Sequence, residues 1–361
     1  MKLGINLASS SWRLLAVAVG LSVIGLIFVF EASGAESYNI FGEPYHFVKL
    51  QSLRLVMGLV GLIVVRFVPI KLWQKTSSLL YLLGVGLLLL VFVPGLGSEL
   101  NGARRWLMLG ALQFQPVELT KFAIIIFFSA WMSKHQRLLP FLFLTGLPAG
   151  LLLLQPDFGS MLVVISIAFG VYYMAGGSLG KILLLAMSTG LVLALMVIAS
   201  PYRLERLNTF LSPESDPLGS SFHIRQITIA LGRGSWFGQG IGQSKQKYSY
   251  IPEASSDSIF AIVAEEIGFA GSLVLATIFF YYLHLGLKIA ATNKPGTFPY
   301  LLASGVVIWI AAQTLLNLAA VVALVPLTGI PLPFFSYGGT SLITILIATG
   351  LLLACEKKSK P

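Results

Sequence analysis

Residues 14 to 30 read LLAVAVGLSVIGLIFVF, a run of seventeen residues without a charge. Lys2 and Arg13 precede this run and the small residues 33–35 follow it, which is also the order of a cleavable secretory signal. The run is longer than the apolar region of a usual signal, which has about 7–15 residues. We therefore interpret it as an uncleaved first membrane span.

The rest of the chain has the same character. Of 361 residues, 56% are hydrophobic and only 11% are charged, a balance that excludes a water-soluble globule. At about 20 residues a span, the roughly 200 hydrophobic residues suffice for about ten spans. The sequence predicts an all-α polytopic membrane protein with a single domain over residues 1–361. Apolar runs place its spans at 12–31, 50–68, 77–96, 116–133, 141–156, 158–177, 180–200, 259–288, 299–325 and 339–355.

Two segments, 97–115 and about 201–258, are too polar to cross lipid. The second is the longest loop and joins the seventh and eighth spans. With both termini in the cytoplasm, this loop is extracellular, and the cytoplasmic segments hold a large excess of Lys and Arg, with Glu356 as their one acid. This distribution satisfies the positive-inside rule.

The exterior segments nevertheless carry many cations, against the topogenic bias. Because the net charge of +10 is divided between two sides of a membrane, it does not indicate a nucleic-acid partner. We expect instead that an anionic ligand binds outside. The exterior cations are Arg104, Arg105, Arg203, Arg206, Arg225, Arg233, Lys245 and Lys247.

Several classes of protein are disfavoured. A single cysteine, Cys355, forms no intramolecular disulfide, and the four histidines show no metal-ligand spacing. The sequence lacks a Walker-type phosphate loop, so use of nucleotide energy by the chain itself is not expected. It shows no internal repeat, which weakly disfavours a transporter.

A candidate catalytic carboxylate lies in the segment YIPEASSDSIF, residues 250–260, where the long loop becomes the eighth span. Asp257 could act as a general base at the membrane surface, close to cations that would hold an anionic leaving group. It could equally cap the helix. Glu265 and Glu266 follow about two turns later, with Glu265 nearer the side of Asp257, and both could be simple interfacial carboxylates.

Three further motifs contain polar groups. Glu118 and Lys121 are three residues apart in the fourth span, so they face one another as a structural ion pair or line a substrate site. The sequence 104–106, Arg-Arg-Trp, suits phosphate binding or interfacial anchoring. Asp157 follows Pro156 at the break between spans five and six and could cap the sixth helix.

The run PLTGIPLPFFSYGGTS, residues 326–341, is apolar yet holds three prolines and three glycines. Irregular backbone at membrane depth is tolerated where protein or a water-filled cavity surrounds it. We therefore expect this run, which includes Ser336, to line a pocket.

At these positions the sequence resembles the SEDS family (shape, elongation, division and sporulation) of bacterial membrane glycosyltransferases, which includes FtsW and RodA. The segment 242–247 is more similar to the division-type FtsW than to RodA. The resemblance covers nearly the whole chain, and its last motif is the most specific. The matching stretches are 101–106, 115–121, 155–160, 202–206, 216–219, 250–268 and 326–341.

The resemblance implies a ten-helix bundle in the bacterial cytoplasmic membrane, with a large extracellular loop between helices seven and eight. It implies polymerisation of lipid II at the outer face, during division or elongation. Asp257 would deprotonate the 4-hydroxyl of the acceptor, whose oxygen attacks C1 of the donor and expels undecaprenyl pyrophosphate. Substrate and pyrophosphate binding would fall to Arg104, Arg105, Glu118, Lys121, Arg203, Arg206, Lys245, Lys247, Glu265 and Ser336.

Some positions depart from the family pattern. Val117 stands where Ser is usual, and His223 stands where Gln is frequent. Ser256 and Ser258 flank Asp257 where Thr and Phe are common. These changes alter the local hydrogen bonding but leave Asp257 in place, so we expect activity to be retained.

The resemblance also implies partners: lipid II, undecaprenyl lipid, a class B penicillin-binding protein and other division or elongation proteins. A divalent cation, Mg²⁺ or Mn²⁺, could bridge a carboxylate and the pyrophosphate, and no other cofactor is expected. Two alternatives stay open. The buried Glu118 and Lys121 pair would suit a lipid II flippase, and a non-catalytic chain would act as a scaffold that recruits a transpeptidase.

Overall fold

The computed structural model describes residues 10–100, 103–109, 112–198, 204, 208–212, 221–247 and 251–356. These residues are mostly helical. The helices are α1 (Ser10–Phe41), α2 (His46–Phe67), α3 (Ile70–Leu90), α4 (Pro116–Met132), α5 (Leu138–Leu154), α6 (Phe158–Met174), α7 (Leu179–Ile198), α8 (Phe222–Gly234), α9 (Ile259–Ala290), α10 (Phe298–Val321) and α11 (Gly339–Ala354). The strands are β1 (Gly97–Leu100), β2 (Ala103–Leu109) and β3 (Leu112–Phe114).

Each apolar run predicted as a span forms a helix, and α8 lies in the long polar loop. Helices α1, α2, α3, α9 and α10 are long and apolar enough to cross a membrane. Four shorter apolar helices, α5, α6, α7 and α11, accompany them. Rows of exposed apolar side chains, such as Leu53, Val56 and Val60 on α2, face outward, as lipid contact requires. The chain is therefore a multi-pass helical membrane protein.

Helix α10 lies at the centre of the bundle and packs against α4, α6 and α9. Its Trp309 is fully buried, as are Phe128 of α4 and Tyr282 of α9. Helices α2 and α11 pack closely, because Gly350 leaves room for the backbone at Leu62. Small residues commonly allow such close approach between helices in membranes.

The all-α prediction is wrong for the polar segment 97–115. Its described residues form a three-stranded antiparallel sheet in the order β1-β2-β3. Side chains alternate along β2, so Leu107 is buried while Arg104 and Met108 are exposed. A search for long apolar runs does not detect strands this short. Their backbone groups pair with one another inside a polar connection between two spans.

Helix α9 is interrupted at Gly268, which has φ 68° and ψ −172°. Glycine is required there, because a side chain would overlap the backbone of residues 237–238. The neighbouring loop replaces the lost helical hydrogen bonds. Phe269 N–H donates to the carbonyl of Ser235 at 2.9 Å, and Gln239 N–H donates to the carbonyl of Glu265 at 3.0 Å. The loop and the helix are thereby joined through their main chains.

Candidate active site at the loop end of the bundle

Segments far apart in sequence meet at one end of the bundle. Tyr337 N–H donates to the carbonyl of Ser255 at 2.8 Å, and Gln115 N–H donates to Oγ1 of Thr340 at 2.9 Å. These bonds join the loop before α9, the loop before α11 and the segment before α4. We call this region, formed by residues 97–100, 103–109, 112–115, 155–157, 251–258 and 326–341, the loop end.

Asp257 lies within the loop end, half-exposed and two residues before the first residue of α9. Asn317 of α10 fixes its main chain, because Nδ2 donates to the carbonyls of Asp257 at 2.7 Å and Ile330 at 2.8 Å. A methyl group built on Gly329 would lie 3.9 Å from Oδ2 of Asp257. The structure thus brings the Asp257 segment and the Pro/Gly-rich run 326–341 into contact.

A histidine from the long loop also reaches this site. His223 lies in the first turn of α8, and its Nε2 is 2.9 Å from Oγ of Ser258. Oγ of Ser258 lies 3.3 Å from Oδ1 of Asp257. The sequence marked His223 and Ser258 only as departures from a pattern, since 35 residues separate them.

Glu118 and Lys121 form the ion pair that their spacing predicts. Lys121 Nζ is 2.8 Å from Oε1 of Glu118, and both side chains are almost completely buried. Lys121 also donates to Oε1 of Gln313 at 2.9 Å, and the same oxygen accepts from Nε1 of Trp309 at 2.8 Å. Hydrogen bonds of this kind compensate part of the large cost of removing two charges from water.

Helix α10 connects the ion pair to Asp257. Gln313 and Asn317 are four residues apart and lie on one face of the helix. Gln313 Nε2 donates to the carbonyl of Pro331 at 2.9 Å, next to the Ile330 carbonyl that accepts from Asn317. Sequence reasoning missed both amides, although two buried amides one turn apart in an apolar helix were a usable signal.

The other predicted ligands at the loop end have distinct surroundings. Arg105 donates through Nε to the carbonyl of Gln155 at 3.3 Å and also donates to that of Pro156, so it braces the break between α5 and α6. Arg104 is exposed. Ser336 is buried, and its Oγ accepts from Leu332 N–H at 2.7 Å.

One cation in this region was not singled out from the sequence. Arg54 of α2 places its guanidinium over the ring of Tyr337, 4.7 Å from the ring centroid. Its position inside an apolar run hid it among residues that were read as a span. It adds a positive charge beside the run 326–341.

Glu265 lies apart from this cluster. Its carboxylate is fully buried, accepts from Oγ of Ser244 at 2.5 Å and from two backbone N–H groups, and pairs with Nε of Arg233 at 3.0 Å. Lys247 pairs with Glu31 of α1 at 2.7 Å. Lys245 is exposed. These groups tie the loop 235–247 to α1, α8 and α9.

Two predicted ligands, Arg203 and Arg206, lie outside the described residues. Asp157, by contrast, is described, and the expectation that it caps the sixth helix is confirmed. Its Oδ1 accepts from the backbone N–H of Ser160 at 3.1 Å. Asp157 therefore has a structural role at the start of α6.

Within the described residues, no three His, Cys, Asp or Glu side chains are grouped so as to hold a metal ion. Near the loop end, the described residues therefore present only isolated carboxylate oxygens to a divalent cation. Mg²⁺ is commonly held by one or two carboxylates together with substrate phosphates, so such an arrangement is compatible with cation binding in the presence of a phosphorylated substrate.

Fold and site together define a polytopic helical membrane protein whose polar groups converge around a half-exposed aspartate at one end. Residues 11–361 match the family model of FtsW, RodA and SpoVE, described as a cell cycle protein. The chain belongs to this family.

Relatives and solved structures agree with this assignment. A probable peptidoglycan glycosyltransferase FtsW of Nitrosococcus halophilus is 40% identical over 356 residues, which are 96% of this chain and 92% of that protein. Its counterpart in Aliivibrio salmonicida is 37% identical and covers 96% of this chain and 89% of that protein.

Among solved structures, a chain of a peptidoglycan synthase complex superposes with a TM-score of 0.78 at 30% identity and covers 95% of this chain and 96% of its own. RodA of Thermus thermophilus has a TM-score of 0.70 at 28% identity and covers 95% of each chain. The fold and the family are therefore the same by both comparisons.

Proposed function

We propose that this protein is a peptidoglycan glycosyltransferase that polymerises lipid II into glycan strands, with Asp257 as the general base. Relatives of this name match almost the full chain. The observation that carries the proposal is the position of Asp257, half-exposed at the loop end, with its main chain fixed by Asn317 and its side chain against Gly329.

The proposed reaction uses the carboxylate as a proton acceptor. Asp257 takes the proton from the 4-hydroxyl of the acceptor N-acetylglucosamine, and the oxygen attacks C1 of the donor N-acetylmuramic acid. The bond between C1 and the pyrophosphate oxygen breaks, and undecaprenyl pyrophosphate leaves with both electrons. Cations close to the leaving group stabilise the charge that develops on it.

The cations proposed to bind the pyrophosphate differ in how well they are placed for this role. Arg104 and Lys245 are exposed, whereas Lys121 is buried in its pair with Glu118 and Lys247 pairs with Glu31. We therefore assign first contact with substrate to the exposed side chains. Arg105, Glu118, Lys121, Lys247, Glu265 and Ser336 would act by holding the surrounding segments in place, and Arg203 and Arg206 would contribute from the long loop.

The proposed topology has ten spans, α1–α7 and α9–α11, with both termini in the cytoplasm of a bacterium and the long loop outside. The concentration of Lys and Arg on the cytoplasmic side supports this orientation. It places the loop end, and Asp257 with it, at the outer face of the cytoplasmic membrane. Lipid II and the undecaprenyl product would be bound there.

The proposed role is in cell division, because the relatives quoted above are named FtsW. A class B penicillin-binding protein is the expected partner, since a structurally similar chain comes from a complex that coordinates polymerization and crosslinking. Other division or elongation proteins would join this assembly. A divalent cation, Mg²⁺ or Mn²⁺, would rely on substrate phosphate oxygens for most of its ligands.

Polymerisation of lipid II by the purified chain with its transpeptidase partner tests the proposal. We expect Asp257→Asn to lower the rate by about 10²–10⁴-fold, since it removes a general base. Unfolding should be unchanged, because the amide is isosteric. Parallel reactions with a chelator and with added Mg²⁺ or Mn²⁺ test the cation requirement. Product formation by Asp257→Asn at the parental rate would refute the assignment.

The two alternatives predict other outcomes. A flippase would move lipid II across liposomes that lack any transpeptidase. The Glu118–Lys121 pair gives transport no specific support, because both side chains already have hydrogen-bond partners within the bundle, Gln313 and Thr344. A scaffold would support growth with an inactive Asp257→Asn variant. Neither result is expected for the proposed enzyme.

A further inference from the structure

The hydroxyl of Ser258 has an unusual orientation for its position. Ser258 occupies the N-cap position of α9, where serine normally accepts a hydrogen bond from a backbone N–H of the first turn. Its side chain makes no such capping bond. It is instead completely buried between His223 Nε2 at 2.9 Å and Asp257 Oδ1 at 3.3 Å. The Ser258 side chain thus contacts the candidate base and does not cap the helix.

The direction of the hydrogen bonds follows from the donor inventory. An ionised carboxylate only accepts, so the single hydroxyl hydrogen of Ser258 points at Asp257. The Ser258 oxygen must then accept from His223, which assigns the proton to Nε2 of the imidazole. His223 therefore donates to Ser258, and Ser258 donates to Oδ1 of Asp257.

The helix that carries His223 is fixed at both ends. His223 at the start of α8 contacts Ser258, and Arg233 near its end pairs with Glu265 at 3.0 Å. Helix α8 accordingly lies beside the first two turns of α9. This arrangement holds His223 in register with the residue that follows Asp257.

We propose that His223 and Ser258 are positioning residues for Asp257, a two-member hydrogen-bond relay that orients its Oδ1 and leaves Oδ2 directed towards Gly329 and the substrate side. The relay also stabilises the ionised carboxylate, the form that accepts the proton of the attacking hydroxyl. The proposal rests on the general-base role of Asp257 given above.

The test compares the full chain, with its transpeptidase partner, as His223→Ala, Ser258→Ala, the double variant and His223→Gln. Ser258→Ala removes the hydrogen bond to the charged carboxylate and should lower kcat about tenfold with KM unchanged. His223→Ala leaves that bond in place and should lower kcat by less. The double variant should be no slower than Ser258→Ala, because both residues act through one bond. His223→Gln should restore most of the rate, since its amide can donate to Ser258.

A matched control removes a hydrogen bond that does not end at Asp257. Oγ1 of Thr228 in α8 donates to the carbonyl of Ile224 at 2.9 Å. Thr228→Ala should keep the parental kcat. Thermal unfolding in detergent checks that every variant is folded.

A second readout needs no substrate. Carbodiimide modifies protonated carboxyl groups, so its rate at Asp257, followed by peptide mass spectrometry, reports loss of the stabilising donor. We expect about a tenfold rise in Ser258→Ala and in the double variant, and a smaller rise in His223→Ala, which keeps the Ser258 donor. If the parent makes no glycan but this pattern holds, the proposed function fails and the relay stands.

Three results would overturn the relay itself. Parental kcat and modification rate in Ser258→Ala would show that its hydroxyl does not act on Asp257. Multiplying effects in the double variant would show that the two residues act independently. A rate for His223→Gln as low as that for His223→Ala would exclude donation to Ser258.

Discussion

Two carboxylates of one helical region, Asp257 just before α9 and Glu265 two turns into it, differ in what surrounds them. Glu265 is fully buried and accepts from Ser244, from two backbone N–H groups and from Arg233. Asp257 is half-exposed, with its carbonyl held by Asn317 and one carboxylate oxygen beside Ser258. Glu118 resembles Glu265, because it is enclosed with Lys121.

The difference separates two uses of charge in a membrane protein. An enclosed carboxylate with several donors stabilises the packing of the segments that supply those donors. A carboxylate held on one side and exposed on the other can exchange a proton with a substrate. Substitution of an enclosed group should therefore change stability and activity together, whereas Asp257→Asn should change activity alone.

The largest effect on stability is expected for Lys121→Met. It leaves the buried carboxylate of Glu118 without its cation, which should cost about 3–5 kcal/mol in the free energy of unfolding. Unfolding in a denaturing detergent measures this loss. Activity should fall in proportion to the folded fraction.

The double variant Glu118→Gln with Lys121→Met serves as the control. It removes both charges and should recover part of the lost stability. If Lys121→Met unfolds like the parent but does not make glycan, the pair contacts substrate. Glu118 would then not belong with Glu265 among the enclosed, structural carboxylates.

A smaller effect is expected for Glu265→Gln. The amide removes the negative charge that pairs with Arg233. It also replaces one acceptor oxygen with an NH2 donor that faces the N–H group of Lys245 or of Gln246, at a cost of about 2 kcal/mol in all. Limited proteolysis of the loop 235–247 should become faster. Glu253→Gln, which changes an exposed carboxylate, is the control and should cleave like the parent. Unchanged cleavage with lost polymerisation would instead place Glu265 in the substrate site.

The smallest effect is expected for Gly329→Ala. Its φ of 67° is unfavourable for alanine by about 1 kcal/mol, and the new methyl group would lie 3.9 Å from Oδ2 of Asp257. Gly296→Ala is a matched control, since Gly296 has φ 76° and open space around it. Both variants should lose similar stability in thermal unfolding. A larger fall in kcat for Gly329→Ala would locate the substrate beside Asp257, and equal rates would argue against it.

The sequence predicted the parts of this structure that depend on local pattern. Apolar runs identified the helices that were predicted as spans but not α8, and the predicted start of the eighth span at residue 259 is the observed first residue of α9. The spacing of Glu118 and Lys121 predicted their ion pair. These features need only a window of residues along one helix.

Contacts between distant segments could not be predicted in the same way. Lys247 and Glu31 are 216 residues apart, and nothing in either neighbourhood indicates that they pair. Gln313 and Asn317 were not singled out from the sequence, because their partners Pro331, Ile330 and Asp257 come from two other loops. The sheet at 97–114 was missed because its strands are short and lie in a polar connection.

The break in α9 at Gly268 also has a consequence for the order in which the protein is made. The carbonyl of Ser235 and the N–H of Gln239, which complete the interrupted helix, precede α9 in the chain. During synthesis, these partners therefore leave the ribosome before α9 does. As α9 enters the membrane, its exposed backbone groups can pair at once with a segment that is already present, so the broken helix need not wait for any later part of the chain.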